Sequence, residues 1–395
     1  MSEALSRREF LIVGALSGAA LLASGGIYYA TSRPESKPLP VTPPPKPTPL
    51  VNIFENSLIS LGAEESIPLS NWGIKYTPDG HIPYVTLPDS QREYYFSGNA
   101  SSYAFKRGSS PNLYESIKHD ANSQALPAIK ADKSRPYRNG YTSICSVFPD
   151  IKQPDHLFAL THCEEWLKDS TEKSTFSIGL VESFGGGDWL EKRGPVLQAK
   201  DALRPGEKFT GVGQPCAVVR KEGGDSFVYV YYLYLPAASE IPNQICLSRA
   251  LLKEGDIGEF EHFTKDGFRK TEITADTVNG VITPPRSIPG SSYAALPSIS
   301  FNKYLNRYLG IFETQQGFCT TSSEDGLSWK EGELFLKFDA PQEPHFKGQV
   351  WTSNPTLWSE DEATDQITGK SGYLVYSKGT WDEPHKMYRR SFQLK

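Results

Sequence analysis

Beyond residue 60 the apolar positions come in short runs rich in Tyr, Phe, Val, Leu and Ile, each broken by Gly, Pro, Asn or Asp. Side chains alternate across a strand, so these runs read as strands, and none keeps a helical period for more than two turns. They fall into a recurring unit: a small or Pro-containing strand, a second strand rich in Tyr, Phe and Leu, a third strand, then a turn. One unit comprises Tyr141–Phe148, Leu157–Thr161 and Phe176–Glu182, closing on Trp189. A second comprises Gly213–Val219, Phe227–Leu235 and Gln244–Ala250, closing on Phe260. A third has Leu296–Phe301, Tyr308–Thr314 and Gly317–Thr321, closing on Trp329. The last has Trp351–Trp358, Gly372–Ser377 and Lys386–Leu394, and Tyr84–Leu87, Tyr94–Phe96 and Tyr103–Phe105 supply one more near the start.

The starts of the last four units lie 72, 83 and 55 residues apart, too uneven for a solenoid. Blades joined by loops of unequal length fit that spacing, because a few antiparallel strands cannot bury their own faces and must stack on neighbours. The fold expected for residues 51–395 is therefore all-β, a five-bladed β-propeller. Composition agrees: 20 Tyr, 20 Phe and 7 Trp against 2 Met favour strands. The net charge of −5, with no basic run beyond Arg389-Arg390, gives no footing for nucleic acid. Five cysteines stand singly, without a zinc-knuckle spacing. In an oxidising compartment Cys145 and Cys163 are the pair for a cross-strand disulfide.

The first fifty residues follow different rules. Residues 34–49 hold eight prolines and read as an extended linker, residues 34–50, spanning up to about 50 Å. Ahead of it, Ser6-Arg7-Arg8-Glu9-Phe10-Leu11 opens a run without charge to Ser32. This resembles a twin-arginine export signal over residues 1–33. The resemblance implies the twin-arginine translocation machinery as a partner and a periplasmic or other extracytoplasmic location. Leu11–Ala30 is also about long enough to span a bilayer, so retention as an N-terminal membrane tether stays open.

Ser323-Glu324-Asp325-Gly326-Leu327-Ser328-Trp329 is similar to the Asp-box of sialidases and related propellers, and Ser183–Trp189 is a degenerate copy. With phrases such as Ala159–Glu165, Gly213–Val218 and Ser300–Leu309, residues 70–395 resemble the five-bladed propellers of glycoside hydrolases that act on arabinosides, xylosides and fructosides. That resemblance implies a carbohydrate substrate, no organic cofactor, a structural Ca²⁺ allowed in the central channel, and an early-blade Asp as base. Asp79, in Pro78-Asp79-Gly80-His81, fills that place, with Asp89 and Glu313 as alternatives. Glycoside cleavage needs a second carboxyl to protonate the leaving oxygen. Glu164, expected to end the strand Leu157–His162 beside His162 among apolar neighbours, is the candidate acid, and Glu165 its rival.

Polar residues that interrupt apolar strands are costly to bury unless used. On that ground Gln214, Arg249, Glu313 and Asn354, recurring in successive units, are expected to bind substrate together with His162. Trp351, Tyr231 and Tyr232 are candidates to stack on a sugar ring. A non-catalytic carbohydrate-binding propeller is the competing expectation. A phosphorolytic glycosidase is a third, and would draw on Arg249, Arg286 and His162 to hold phosphate. The seven histidines show no paired zinc spacing, and no nucleophile elbow occurs.

Overall fold

The computed structural model describes residues 57–395 apart from 69–71, 109–113, 168–172, 202, 204–207, 238–241, 343–349 and 381–384. Residues 1–50, where an export signal and a linker are expected, lie outside the described residues. Apart from one 3-10 turn at Pro136–Arg138, the described chain is strands and connections.

Strand pairing gives four sheets among the described residues, and the largest joins two antiparallel meanders by a short parallel contact of Phe209–Gly211 with Ser174–Phe176, so that five antiparallel meanders follow one another along the chain. The first is β2 (Tyr84–Thr86), β3 (Arg92–Gly98), β4 (Ser101–Arg107) and β5 (Tyr114–Ser116). The second is β6 (Tyr141–Pro149), β7 (His156–Trp166), β8 (Ser174–Phe184) and β9 (Leu190–Gln198). The third is β10 (Phe209–Glu222), β11 (Asp225–Leu235), β12 (Gln244–Lys253) and β13 (Glu261–Thr264). The fourth is β14 (Ala295–Asn302), β15 (Arg307–Thr314), β16 (Gly317–Ser323) and β17 (Glu333–Lys337). The fifth is β18 (Trp351–Trp358), β19 (Ser371–Gly379) and β20 (Lys386–Leu394), and its outer strand comes from the other end of the chain. β1 (Ile59–Ile67) pairs antiparallel with β20, Ile59 opposite Leu394, so the last sheet is completed by the first strand.

The leading strands share one local device. β6, β10, β14 and β18 each bulge, between Ile144 and Ser146, Gly213 and Cys216, Ala295 and Ser298, and Ser353 and Thr356. In three of them a residue in the left-handed region precedes a proline: Gln214 at φ 51°, Leu296 at 53° and Asn354 at 60°. A bulge bends the strand and re-aims its side chains. The residue just after each bulge reaches the next meander. Ser146 Oγ accepts from the Ala217 N–H at 2.8 Å, and Cys216 Sγ from Ile299 N–H at 3.1 Å. Ser298 Oγ accepts from Leu357 N–H at 3.2 Å, and Thr356 Oγ1 from Ile82 N–H at 3.1 Å. Ser102 Oγ of β4 accepts from Ile144 N–H at 2.7 Å and closes the circuit.

Packing follows the same circuit. Val85, Tyr95, Ile144 and Leu157 bury the first meander against the second, and Leu160, Leu180, Val212 and Tyr232 the second against the third. Tyr231, Leu247, Ile299 and Phe312 join third to fourth, Ile311, Phe318, Leu357 and Tyr376 fourth to fifth, and Trp358, Val375, Tyr84 and Phe96 fifth to first. Sheets stacked in a closed round on apolar faces are the β-propeller architecture. Tyr231 and Tyr232 are wholly buried in these cores, not presented to a ligand; Tyr231 packs edge-on against Trp329. All five cysteines are buried and free, so Cys145 and Cys163 do not form the expected disulfide.

The turn Ser323–Trp329 is built as a hydrogen-bonded unit. Asp325 Oδ1 accepts from the Leu327 and Ser328 N–H groups, both at 2.8 Å, Gly326 sits at φ 71°, and Trp329 Nε1 donates to Gly326 O at 3.2 Å. Because Asp325 is exposed, Asp325→Ala is expected to cost only about 1 kcal/mol in thermal unfolding and to leave the central site unaltered.

Candidate functional site

The bend before β2 carries Asp79. Its N–H donates to Ser97 O at 3.1 Å and its carbonyl accepts from Tyr141 Oη at 2.8 Å, leaving a half-buried carboxylate. The neighbouring Gly80 has φ 150°, and a Cβ there would lie 3.0 Å from Gln214 Oε1, 3.1 Å from Ser143 Oγ and 3.3 Å from Ser97 Oγ. Glycine is required by both the backbone angle and the crowding. Asp79 thus sits where the first three meanders meet.

The register of each second strand supplies the rest. Three residues before Ser146, Cys216, Ser298 and Thr356, Ser143 faces His162, Gly213 faces Leu233, Ala295 faces Glu313 and Ser353 faces Ser377. One place along the ring therefore carries His162 from the second meander and Glu313 from the fourth. Glu164 stands opposite Tyr141, inside β7, which continues to Trp166 and does not stop at His162 as expected. Glu164 is buried; its Oε2 accepts from Trp166 Nε1 at 3.0 Å and its Oε1 lies 3.4 Å from His162 Nε2. The His162 ring packs against Tyr141 and Phe176 and approaches the glycine at 213 so closely that a Cβ there would be 2.4 Å from Nδ1. That Nδ1 has no hydrogen-bond partner among the described residues.

Glu313 is only 3% exposed. Its Oε1 accepts from Tyr293 Oη at 3.2 Å and its Oε2 from Ser353 Oγ at 2.7 Å. The Trp351 side chain and the Asn354 N–H also donate to this carboxyl. Burial dominates over these donors and pushes the Glu313 carboxyl up to about 7. Asn354 Nδ2 donates to Pro78 O at 3.0 Å and to Ser377 Oγ at 3.3 Å, which ties the fifth meander to the residue before Asp79. Trp351 is half-buried beside Glu313.

These contacts form one connected set holding Asp79, His162, Glu164, Gln214, Glu313, Trp351 and Asn354. Arg249 is not brought to it. Its guanidinium stacks on Phe227 and Phe268 and pairs with Glu222 and Glu261 on the third meander. Arg286 is exposed, so Arg249, Arg286 and His162 do not assemble into a phosphate clamp. Asp89 is exposed as well, and Glu165 is partly exposed, taking a hydrogen bond from Thr175. Among the described residues no group of three or more His, Cys, Asp or Glu gathers around a point that would hold a metal ion.

Sequence reasoning missed Tyr293 and Ser353, which donate to the Glu313 carboxyl, and Tyr141 and Ser97, which bond to the Asp79 backbone. Serines and tyrosines within strands carry no signal that separates a hydrogen-bond donor to a site from a core or surface residue.

No protein-family model matches the chain, and no curated protein matches it. Similar solved structures exist at low identity. The GH43_1 enzyme from Xanthomonas citri matches with TM-score 0.46 and 11% identity, over 83% of this chain and 89% of that one. The endo-arabinase from Bacteroides thetaiotaomicron gives 0.45 and 10%, over 84% and 98%. The sucrose-6-phosphate hydrolase from Lactobacillus gasseri gives 0.47 and 10%, over 83% of this chain but only 62% of its own length. A further Bacteroides thetaiotaomicron chain is spanned over 58% of its length, with TM-score 0.34. At such identities and scores the site has to be read from its own residues.

Proposed function

We propose that the five meanders are the blades of a five-bladed propeller whose central site acts on a glycoside by carboxylate acid–base chemistry. The observation that carries this reading is the contrast between two carboxyls. Glu313 is buried, with its proton affinity raised to about 7, and Asp79 is half-buried on the bend that Asn354 holds through Pro78 O. A carboxyl still protonated near neutrality can donate to a leaving oxygen, while a second, partly exposed carboxyl can serve a water or the sugar carbon. In this assignment Glu313 is the acid and Asp79 the base. Glu164, expected to be the acid, is held by Trp166 and His162 and is a third carboxyl of the same site. Gln214, Asn354 and Trp351 offer the amides and aromatic face with which sugars are bound.

A second reading, carbohydrate binding without turnover, is favoured by the engagement of both Glu313 oxygens. Incubation of the full chain with neutral aryl glycosides and oligosaccharides separates the two. Turnover that is lost in both Asp79→Asn and Glu313→Gln supports catalysis; binding without turnover in the wild-type chain supports the second reading.

The chain is also read as exported by the twin-arginine route and held off the membrane by the linker. Replacing Arg7 and Arg8 by Lys together should leave the protein in the cytoplasmic fraction. Unchanged export of that double variant would remove this part of the account.

A further inference from the structure

The connection between β18 and β19 crosses the axis. Ala363 O accepts from Thr86 N–H of the first meander at 2.7 Å. Gln366 spans the channel: its Nε2 donates to Val147 O of β6 at 3.0 Å and its Oε1 accepts from Val219 N–H of β10 at 2.9 Å. Its carbonyl accepts from Phe301 N–H of β14 at 2.8 Å, and Ile367–Thr368 runs parallel beside Phe301 and Asn302. One segment of the fifth meander therefore bonds to the leading strands of all the other four. Val147, Val219, Phe301 and Thr86 lie toward the ends of their strands, whereas Ser143, Gln214, Ala295 and Ser353 lie toward the starts. The segment closes the end of the channel opposite the candidate site.

Within this plug sits a buried pair that the acid–base scheme does not use. Asp365 Oδ2 is 2.8 Å from His81 Nε2, with side chains 3% and 4% exposed, and Asp365 Oδ1 accepts from Tyr84 N–H at 3.4 Å. His81 Nδ1 lies 3.4 Å from Thr356 Oγ1 on β18. His81 is two residues beyond Asp79, across the crowded Gly80. Burying a carboxylate is expensive, and a bonded imidazole is what offsets it here.

We propose that Asp365 is a positioning residue for Asp79: from the plug it fixes His81, and through His81 the bend that aims the Asp79 carboxylate into the site. This rests on Asp79 being the working base. The plug as a whole supports the fold, while Asp365 is its residue bonded to His81, so the two roles separate by mutation.

The experiment compares Asp365→Asn, Asp365→Glu and Gln366→Ala in the full chain. Asp365→Asn is expected to lower kcat at least tenfold with KM little changed, with part recovered in Asp365→Glu. Gln366→Ala is expected to lower the Tm but keep kcat. Unaltered kcat in Asp365→Asn, or an equal loss in Gln366→Ala, overturns the proposal and leaves a purely structural plug. If the wild-type chain turns over no glycoside, the functional reading itself has failed. The Asp79 carboxyl ¹³C shift then decides: movement in Asp365→Asn but not in Gln366→Ala upholds positioning, and any other pattern overturns it.

Discussion

Glu313→Gln is expected to abolish turnover while making the protein more stable at alkaline pH. The activity loss should be about 10²–10⁴-fold, the range for removing a general acid. The stability gain follows from the raised proton affinity. The Glu313 carboxyl binds its proton up to about 7 when folded, against 4.5 as its ordinary value. Below 4.5 both folded and unfolded chains carry the proton and the group costs nothing. Between 4.5 and 7 the unfolded chain ionises first, so stability falls as pH rises, and above 7 the folded state carries the full cost, about 3 kcal/mol. Glutamine cannot ionise; its one carbonyl oxygen accepts from one of the Ser353 and Tyr293 hydroxyls, and its NH2 donates to the other, which turns to accept. Urea unfolding at pH 4 should therefore find the variant and wild type close, and at pH 8 the variant more stable by about that amount. The same proton makes kcat/KM of the wild type fall as pH rises above about 7. A variant less stable than wild type at pH 8 would show that the carboxylate is an anchor of the fold.

Gly213→Ala should be the most damaging small substitution near the site. Its Cβ would stand 2.4 Å from His162 Nδ1. The ring cannot retreat, because Phe176 packs edge-on at 4.9 Å and Tyr141 lies 5.8 Å away between centroids. Overpacking of this kind costs about 2–3 kcal/mol. Displacing His162 also disturbs the Glu164 carboxyl that it faces at 3.4 Å, so activity should fall with stability. A double-mutant cycle with His162→Ala checks the cause, since removing the ring should recover most of the folding loss caused by the added methyl group. Additive losses would mean that the clash lies elsewhere.

Much of the fold was legible because its strands are apolar on their buried faces and end at turn residues. Trp351–Trp358 was read with the bounds the structure gives it, and Tyr308–Thr314 and Phe227–Leu235 fall short of theirs by one or two residues at the start. β1 was not legible. Its segment Ala63-Glu64-Glu65-Ser66 is polar and mostly exposed, and what holds it is β20 at the far end of the chain.

The site was legible to the extent that its polar residues interrupt apolar strands. Gln214, Glu313 and Asn354 do so on leading or second strands and reach the centre. Arg249 does so on β12, a third strand, and finds Glu222, Glu261 and two aromatic rings instead. Pattern alone marks a polar residue as used without saying which strand of a blade faces the axis. The character of Glu313 was illegible for another reason: it is set by Tyr293, Ser353 and Trp351, which come from other strands and connections.

The central claim is that one site, formed by Asp79, Glu164, Gln214, Glu313, Trp351 and Asn354, takes a carbohydrate. A crystal structure of the Glu313→Gln chain soaked with neutral xylo-, arabino- and fructo-oligosaccharides tests it most directly. The account predicts a sugar ring in the closed-ended channel, with a glycosidic oxygen beside position 313 and its other face toward Asp79. An empty channel at saturating ligand, or a sugar bound only on the outer blade surface, would contradict it.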